Sequence, residues 1–498
     1  MRTSMQILTT LGISREVQAV FTPETISELV SKYSELKSQH KSISVVSRGN
    51  NWGYGCRAPI EENGLLIDLS RCAAICEFDS YHGTVTLEPG VSYGQLAAFL
   101  KEQGGQWIAP VHGGGPDCSV IGNALERGYG ITPYTDHFGA VLTLEAILEN
   151  GTLYEGSLKK LGQEKLDKLF KYGVGPYYDG VFTQSGVGIV TKMTIKLAPK
   201  PKYIEMFYFA LKDDTQIKEV VEATKISKRD LGSILGGINL MNRERCLSML
   251  ADYPLEKIKN AQPLDDNEVR DLAMRYQAPH WMIAGTLYGD KALVKAAKKR
   301  IKENFKSVRK RQFYFNSTNK KIVPYVGKLL NAIGLTSVKK SLDSMSMGFD
   351  IINGTPNNVA LKLAYWKHED KDLVKNENLN PNRDGCGLIW YAPLVEMKPD
   401  VVVSYIDFVN EAARKFNMNP LITLTTVDDL CYDSTVPIVF NMQSEQDREI
   451  ARTYFEYLFA EGARRGFFPY RFSIETQKKL NIQNPLLKPA SVNPSRYQ

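Results

Sequence analysis

The pattern of apolar residues changes near residue 204, and this change constrains the fold more than any other feature. Before it, short apolar runs are separated by turn residues; in "VLTLEAILENGTLYEG" (141–156), Asn150-Gly151 predicts a hairpin. After it, strand-like runs such as "HWMIAGTLYG" (280–289) alternate with long charged helical runs such as "DKALVKAAKKRIKENF" (290–305). The first part therefore predicts an α+β domain with antiparallel hairpins, and the second predicts a further antiparallel sheet covered by helices.

Length and composition agree with more than one domain. The chain has 498 residues, 43% of them hydrophobic, and single cores rarely grow beyond about 250–300 residues. The net charge of +7 is mild for this length. The densest basic stretch, residues 295–312, carries apolar residues at helical spacing. It predicts the solvent-facing side of an amphipathic helix, with docking to an acidic partner as the alternative; no nucleic-acid fold signature is present.

Cysteine usage and the N-terminus predict a reduced, metal-free protein of the cytoplasm. The seven cysteines are scattered, with no CxxC pair and no matching histidines for a zinc site. The N-terminal residues lack the apolar core of a secretory signal, and no run approaches the roughly 18 apolar residues of a membrane span. We therefore expect no bound metal, no nucleic-acid partner and no membrane association.

Two glycine-rich loops are the strongest indication of a ligand. They are "SRGNNWGYG" (47–55) and "HGGGPDCSVIGN" (112–123), with "TLEPGVSYGQL" (86–96) between them. Glycine lets backbone N–H groups approach a phosphate without a Cβ in the way. The dinucleotide fingerprint GxGxxG and the P-loop are both absent from the sequence. The residues alone therefore leave two interpretations open, surface turns or a bound pyrophosphate.

Four segments together resemble the flavin domain of the vanillyl-alcohol oxidase and p-cresol methylhydroxylase (PCMH) family. They are "SRGNNWGYG", "LEPGVSYGQL", "GGGPDCSVIGNALERGYGITPYTDHFG" and "YGVGPYYDGVFTQSGVGIVTK". Weaker matches follow in the same order, "AGTLYG", "GTPNNVALKLAYW", "GLIWYAP" and "FPYRF". The resemblance implies a PCMH-type FAD-binding domain at 1–203, a substrate-binding cap domain at 204–466, and a C-terminal tail at 467–498 that returns to the FAD domain.

The resemblance further implies which residues contact FAD. The two glycine loops are expected to hold the pyrophosphate, and a turn and a strand are expected to line the cofactor. The implied residues are Ser47, Arg48, Gly49, Asn50, Asn51, Trp52, Gly53, Pro89, Gly90, Val91, Gly113, Gly114, Gly115, Gly122, Asn123, Gly188, Ile189 and Val190. Tyr172, Gln184 and Ser185 fall in further segments that match cofactor-facing parts of the family.

Three more matches imply a phenol site. Family members that oxidise para-substituted phenols clamp the phenol oxygen with two tyrosines and one arginine, which correspond to Tyr54, Tyr470 and Arg471. A cation and two hydroxyl donors favour the anion of a phenol, whose pKa is otherwise about 10. Adjacent residues of a regular strand point to opposite faces. Tyr470 and Arg471 can therefore share one oxygen only where the chain is irregular, or if Arg471 reaches around.

Asp136 matches the acidic residue that the family places near the flavin and the benzylic carbon. The resemblance implies that it stabilises positive charge there and acts as a base. The alternative is an aspartate that only caps a turn or helix. Its neighbour His137 is expected to be structural.

The resemblance also predicts how FAD is held. Many relatives bond FAD through a His or Tyr at the position that is Leu388 here, and a slip of one residue gives Gly387. Neither side chain can form the bond. Another branch of the superfamily uses a His in the first glycine loop, where this chain has Asn51-Trp52. We therefore expect non-covalent FAD, with Cys386 and Tyr391 as the nucleophiles that a shifted alignment would bring to the position.

The function implied is oxidation of a 4-alkylphenol or 4-hydroxybenzyl alcohol. A hydride passes from the benzylic carbon to flavin N5, and the substrate becomes a p-quinone methide. The alternatives are an FAD-dependent oxidase of a sugar, lactone or hydroxy acid, and a flavin-binding protein without turnover. The expected partners are a small phenolic substrate and an electron acceptor, either O2 or a redox protein. Relatives also imply a homodimer or larger homo-oligomer.

Overall fold

A computed structural model describes residues 4–308 and 312–477 of the chain. The α+β class predicted from the sequence is confirmed, with helices packed on sheets that are largely antiparallel. Within those two ranges, no helix is long and apolar enough to span a bilayer, and no group of three or more His, Cys, Asp or Glu side chains is arranged to hold a metal. All seven cysteines are free thiols.

The N-terminal part begins with a small parallel sheet. Its strands lie in the order Ala19–Phe21, Leu65–Asp68, Ile43–Val46. The helix Ile26–Gln39 connects the first and last of these and buries Leu29, Tyr33 and Leu36 against them. The prediction of antiparallel hairpins is wrong for this sheet. The crossover helix lets Ala19–Phe21 and Ile43–Val46 run in the same direction, and each pairs in parallel with Leu65–Asp68.

A five-stranded antiparallel sheet follows. Its strands lie in the order Leu153–Tyr154, Val141–Leu148, Gly188–Lys196, Thr84–Leu87, Ile75–Asp79. The predicted hairpin turn is present, with Gly151 at a φ of 83°. The helices Tyr93–Glu102 and Val120–Leu125 share a core with this sheet. Both helices begin at a serine whose side chain accepts a backbone N–H, Ser92 and Ser119.

The third sheet has eight strands, all paired antiparallel. Seven lie in the order Gln312–Asn316, Tyr203–Leu211, Trp281–Gly289, Leu235–Asn242, Thr423–Thr426, Cys431–Phe440, Gly387–Tyr391, and Leu394–Glu396 also pairs with Cys431–Phe440. One face is covered by the helices Ile217–Leu231, Lys291–Asn304, Pro399–Lys415 and Glu445–Arg464. The predicted amphipathic helix is confirmed for the first part of the basic stretch, since Lys291–Asn304 buries the apolar stripe Val294, Ala297 and Ile301. The helix ends at Asn304, Gln312 begins a strand, and residues 309–311 of the stretch lie outside the described residues.

The two faces of this sheet have different surroundings. Side chains alternate along each strand, so neighbouring residues face opposite sides. The residues that pack beneath the helices include Phe207, Leu211, Ile283, Leu424 and Tyr432. Those on the other face include Tyr208, Ala210, Met282, Thr425 and Asp433, and they line a cavity.

The remaining elements connect and flank these sheets. Two short strand pairs are Met5–Leu8 with Ser14–Val17, and Trp107–Ile108 with Ala198–Pro199. The other α-helices are Ser157–Lys160, Glu164–Asp167, Arg243–Leu250, Leu255–Lys259, Asp266–Tyr276, Ser317–Ala332 and Thr336–Ile352.

Residues 467–477 lead from the eight-stranded sheet to the N-terminal part of the chain. Pro469 forms an isolated bridge with Pro393, beside the sheet. The Ile474 N–H donates to the Tyr54 carbonyl at 2.8 Å, and the fully buried Ile474 side chain packs with Val46 and other N-terminal residues. The part of the predicted tail at 478–498 lies outside the described residues, and the domain boundaries themselves remain predictions.

Ile474→Ala tests this junction. We expect a loss of about 2–5 kcal/mol in the free energy of unfolding, because the substitution opens a cavity in a packed core. Urea denaturation followed by circular dichroism measures it. Ile226→Ala is the matched control, since Ile226 is 44% exposed on the helix Ile217–Leu231. Equal losses in the two variants would contradict the role of the junction.

Candidate functional site

A cavity of about 1150 Å³ lies between the glycine loops and the open face of the eight-stranded sheet. Loop residues 47–52 and 112–114 line it on one side, and sheet residues line it on the other. Side chains of the helix Thr336–Ile352 also contribute to its lining. Pockets for small ligands usually measure about 300–1,000 Å³, so this one has room for a large ligand and a small one together.

The first glycine loop presents free backbone donors. The N–H groups of residues 48–52 donate to no acceptor among the described residues. Other atoms hold the loop: Arg48 donates through Nε to the Asp117 carbonyl (2.6 Å) and through Nη1 to the Gly90 carbonyl (3.0 Å). Asn50 Nδ2 donates to the same Asp117 carbonyl at 3.0 Å. Successive free N–H groups form an anion-binding concavity, so the loop fits the pyrophosphate of FAD.

Gly53 is required by a close crossing of the chain. It has a φ of 77°, and a Cβ at this position would lie 2.1 Å from Trp390 Cδ1. Its N–H donates to Thr10 Oγ1 at 2.8 Å, and its carbonyl accepts the Trp390 N–H at 3.2 Å. The cavity lining includes Trp390 but leaves out Gly53. Gly53 therefore supports the site by letting the first loop cross the strand Gly387–Tyr391.

The second glycine loop is held by neutral histidines. His112 Nδ1 accepts the Gly114 N–H at 2.8 Å, and His137 Nδ1 lies 3.1 Å from the Tyr93 hydroxyl and 2.6 Å from Asn123 Nδ2. Burial lowers the pKa of His112 to about 4 and that of His137 to about 3. Both rings are therefore uncharged at neutral pH, and the contacts of His137 agree with the structural role expected of it.

Part of the predicted cofactor set lines the cavity and part lies behind the lining. The lining residues are Ser47, Arg48, Gly49, Asn50, Asn51, Trp52, Gly113, Gly114, Gly122 and Asn123. The others, besides Gly53, are Pro89, Gly90, Val91, Gly115, Gly188, Ile189 and Val190, which support the loops or belong to the five-stranded sheet. Contact of this second group with FAD stays a prediction.

Two further predicted segments are also placed away from the cavity wall. Gln184 donates through Nε2 to the carbonyls of Glu126 (3.2 Å) and Tyr470 (3.0 Å), so it ties the N-terminal part of the chain to the C-terminal segment. Tyr172 is 59% exposed. Ser185 donates to the Val181 carbonyl. None of the three side chains lines the cavity.

Arg471 joins the predicted phenol-binding residues. Its Nη2 donates to Asn51 Oδ1 at 2.6 Å, and its guanidinium carbon lies 4.4 Å from the centre of the Tyr54 ring. Tyr470 lines the same cavity and packs edge-to-face on Tyr129, with ring centres 5.5 Å apart. Residues 470–472 form no regular strand. This irregularity lets Tyr470 and Arg471 face one cavity, as their predicted shared role requires.

Two buried carboxylates complete the cluster. Glu126 Oε2 lies 3.4 Å from Arg471 Nε, and Asp433 lies on the cavity-facing side of its strand. Burial raises the pKa of each to about 7, although the positive charge of Arg471 lowers both. Burial also raises the pKa of Tyr54 and Tyr470 well above the usual value, so both hydroxyls remain protonated donors.

Sequence reasoning did not identify Glu126 or Asp433. Glu126 stands inside the matched motif "GNALERGYG", and Asp433 stands inside the otherwise weakly polar strand "CYDSTVPIVF". A charged residue within such a strand is the signal that could have found Asp433. Among the described residues, Asp433 Oδ1 has no hydrogen-bond partner, so it is free to accept a proton.

Asp136 does not lie where the resemblance implied. It is exposed, it does not line the cavity, and its Oδ1 accepts the Gly139 N–H at 2.8 Å. This contact agrees with the alternative drawn from the sequence, an aspartate that only caps a turn. The chain between Tyr129 and Asp136 doubles back through an isolated bridge, which turns Asp136 away while Tyr129 lines the cavity. Asp433 is the aspartate on the cavity wall.

The position expected to link FAD carries Leu388, which faces the cavity from the strand Gly387–Tyr391. The two candidate nucleophiles nearby do not line it. Cys386 is buried before the strand begins, and Tyr391 points to the helix-covered face, where its hydroxyl donates to the Phe467 carbonyl at 2.9 Å.

Sequence comparisons identify relatives along nearly the whole chain. The family described as "FAD binding domain" matches residues 17–157. The chain is 27% identical over 486 residues to 1'-carboxy-chondrochloren decarboxylase of Chondromyces crocatus, covering 95% of this chain and 86% of that protein. It is 24% identical over 469 residues to the 4-cresol dehydrogenase [hydroxylating] flavoprotein subunit of Pseudomonas putida, covering 92% and 80%.

Solved structures share the fold. p-Cresol methylhydroxylase with substrate bound aligns with a TM-score of 0.80 at 20% identity, covering 95% of this chain and 85% of that one. 4-Ethylphenol oxidase from Gulosibacter chungangensis aligns with a TM-score of 0.81 at 17% identity, covering 93% and 83%. Together the comparisons confirm the resemblance drawn from the motifs, and they support FAD binding and an FAD-dependent oxidoreductase type of enzyme.

The raised pKa of Asp433 predicts a pH-dependent effect of Asp433→Asn. A buried acid whose pKa is raised on folding destabilises the fold as the pH rises from about 4 to about 7, because ionisation then costs more in the folded state. The stability of Asp433→Asn relative to wild type should therefore increase across this window, by an amount on the order of 2–4 kcal/mol. Urea unfolding at several pH values measures the difference.

Asp407→Asn is the control, since Asp407 is an exposed aspartate on the helix Pro399–Lys415. If the difference in the free energy of unfolding between Asp433→Asn and wild type does not change with pH, as expected for the control, the assignment of a buried, proton-accepting carboxyl is contradicted.

Proposed function

We propose that this FAD-dependent oxidoreductase of the PCMH type oxidises a para-substituted phenol, a 4-alkylphenol or 4-hydroxybenzyl alcohol. The observation that carries the proposal is the cluster around Arg471. One buried guanidinium, two protonated tyrosine hydroxyls and a carboxyl of raised pKa line one cavity. This set suits an oxygen that must become negative.

Loop residues 48–52 and Gly113 would hold FAD through backbone N–H groups that have no acceptor among the described residues, and Gly114, whose N–H is held by His112, lines the cavity beside them. When bound, FAD supplies the two-electron oxidant that accepts a hydride. The side chains of the cavity prepare the substrate for that loss. Arg471, with hydroxyls from Tyr54 and Tyr470, favours the phenolate by charge and hydrogen bonding.

Asp433 is the group we assign to take the phenol proton. Its pKa of about 7 is close to the working pH, where a general base combines a large ionised fraction with adequate basicity. Tyr470 lines the same cavity as Asp433, and its hydroxyl is one of the groups that lower the Asp433 pKa. The proton therefore passes from the phenol oxygen to Asp433, directly or through the Tyr470 hydroxyl.

The phenolate then pushes electrons toward the para carbon. The benzylic C–H bond breaks with both electrons leaving as hydride, and the substrate becomes a p-quinone methide. Addition of water or loss of a neighbouring proton completes the product. Glu126, paired with Arg471, balances part of the cluster's positive charge before the substrate binds.

A second candidate, oxidative decarboxylation, is favoured by one observation. The 27% identical relative that matches 95% of this chain is named a decarboxylase. The same clamp would serve that reaction. If the carbon next to the benzylic position carries a carboxylate, the quinone methide loses CO2, the electrons of that C–C bond form a C=C bond, and the ring regains its phenolate.

Tyr54→Phe and Tyr470→Phe test the phenol clamp. Each should reduce the rate of flavin reduction by 4-alkylphenols about 10²–10³-fold, because each removes one donor aimed at the developing oxyanion. Stopped-flow absorbance under anaerobic conditions measures the rate. Tyr432→Phe is the matched control. Tyr432 immediately precedes Asp433 on the same strand, but its side chain packs beneath the helices on the face opposite the cavity.

FAD content should stay at the wild-type level in all three variants. Full activity of both cavity variants would instead support the sugar, lactone or hydroxy-acid alternative. Loss of FAD from Tyr54→Phe would place Tyr54 on the cofactor.

We infer that FAD is held without a covalent bond, because Leu388 faces the cavity at the usual linking position. Precipitation with trichloroacetic acid should leave the yellow colour in the supernatant. Flavin retained in the pellet would refute this inference. Mass spectrometry of peptides from the pellet would then identify the linking residue.

A panel of para-substituted phenols distinguishes the candidate functions. Anaerobic bleaching of the flavin band by neutral 4-alkylphenols is expected for the first, and CO2 release from carboxylated ones for the second. Peroxide formation on readmission of air would identify O2 as the acceptor, and its absence would point to a redox protein. A holoprotein that none of the phenols reduces, but that sugars or hydroxy acids reduce, would contradict the proposal.

A further inference from the structure

Arg245 lines the same cavity as the Arg471 cluster but belongs to a different element. It lies in the first turn of the helix Arg243–Leu250, directly after the strand Leu235–Asn242. Its backbone N–H donates to Asn242 Oδ1 at 3.1 Å, which caps that helix. The residue is only 8% exposed, so its charge is held in the protein interior.

The guanidinium of Arg245 has no charged partner among the residues described. Its one side-chain hydrogen bond joins Nη1 to the neutral Ser248 Oγ at 3.3 Å, and its Nε has no partner. Arg471, by contrast, is paired with Glu126. Burial lowers the pKa of Arg245 to about 10, so it still carries its positive charge at neutral pH.

An unpaired buried charge is costly, and a structure that keeps one beside a cavity leaves it available to a ligand. We propose that Arg245 binds a carboxylate carried on the para side chain of the substrate. This deepens the proposed function and rests on it. The enzyme would then act on phenols whose side chain ends in an acid, holding the phenol oxygen at Arg471 and the acid at Arg245.

The surroundings of Arg245 favour a carboxylate over a phosphate. Its neighbours in the lining include Cys246, Met249, Leu250 and Met282. Burial raises the pKa of the Cys246 thiol to about 12, so it is neutral. A single cation in an apolar wall matches one negative charge, and a planar guanidinium matches the two oxygens of a carboxylate.

Sheet register separates Asp433 from the strand that leads to Arg245. Asp433 pairs with Thr425, and Thr425 pairs with Asn239. Adjacent strands are about 4.8 Å apart, which puts Asp433 and Asn239 roughly 10 Å from each other across the sheet. Arg245 stands three residues after the strand of Asn239 ends at Asn242. Because one whole strand lies between the strand of Asp433 and the strand that leads to Arg245, we expect the acid on a side chain of several carbons and not directly on the ring.

Binding of paired acids and amides to the holoprotein tests the proposal without turnover. The probes are 4-hydroxycinnamate and 4-hydroxycinnamamide, which match in shape, differ in charge and carry no oxidisable benzylic C–H. Calorimetry should give an acid affinity about 10- to 150-fold above that of the amide, the range expected for hydrogen bonds to a charged group. Arg245→Met should abolish this preference and leave the amide affinity within twofold of wild type.

Two further variants guard against a folding artefact. Arg245→Lys keeps the charge and should retain part of the preference. Arg243→Met is the matched control, because Arg243 is two residues earlier on the same helix and does not line the cavity. It should behave as wild type.

A second measurement separates this proposal from the function on which it rests. Flavin reduction is measured with ω-(4-hydroxyphenyl)alkanoates of two to four side-chain carbons and with the matching amides. Reduction by both series with no preference for the acid at any length would overturn the role of Arg245 and leave phenol oxidation standing. An Arg245-dependent preference in calorimetry, with no reduction by any phenol, would support the anion site and overturn phenol oxidation.

The anion could also come from the cofactor. Loss of FAD from Arg245→Met, with FAD kept in Arg243→Met, would assign the guanidinium to a phosphate of FAD and overturn the proposal.

Discussion

The buried positive charge of Arg471 is the constraint on which the site depends. A guanidinium removed from water must be compensated by nearby oxygens, or the fold loses much of its stability. Asn51 and Glu126 supply those oxygens from the N-terminal part of the chain, and Tyr54 supplies a ring face. Since Arg471 itself lies near the end of the described chain, these contacts form only when segments more than three hundred residues apart in sequence have come together. Assembly of the site therefore requires the tertiary fold to be in place.

The crossing at Gly53 gives this arrangement its mechanical support. Trp390 lies where a Cβ would be, so the first glycine loop and the strand Gly387–Tyr391 are in direct contact. The strand belongs to the large sheet, and the loop carries the free N–H groups that fit FAD. The wall that would face the substrate and the loop that would hold the cofactor are thereby fixed to each other. The position of the substrate relative to the cofactor matters in catalysis, because a misplacement of about 1 Å can lower a rate about 100-fold.

Much of this could be predicted from sequence, and the failures have physical causes. The change near residue 204, the helix Lys291–Asn304 and the α+β class follow from local periodicity, which a sequence displays directly. The motifs around Tyr54, Tyr470 and Arg471 predicted that these residues share a site, and the structure places all three in the lining of one cavity. Asp136 stood in an equally good motif, yet a local reversal of the chain turns it to solvent. Asp433 was missed because its strand pattern does not reveal which face meets helices and which meets a cavity. The need for glycine at position 53 arises from Trp390, a tertiary contact that no local pattern records.

The alternation of the large sheet has a consequence for how such proteins diversify. Alternate residues of one strand are under different constraints. One set packs beneath the helices, and the other set lines the cavity. An exchange at a cavity-facing position such as Ala210 or Met282 alters what the chamber admits without leaving a hole under the helices. The range of substrates and the stability of the fold can thus change independently through different positions of the same strand. Proteins with this sheet can therefore change their substrate specificity and keep their fold. The solved structures that share the fold at 20% and 17% identity agree with this expectation.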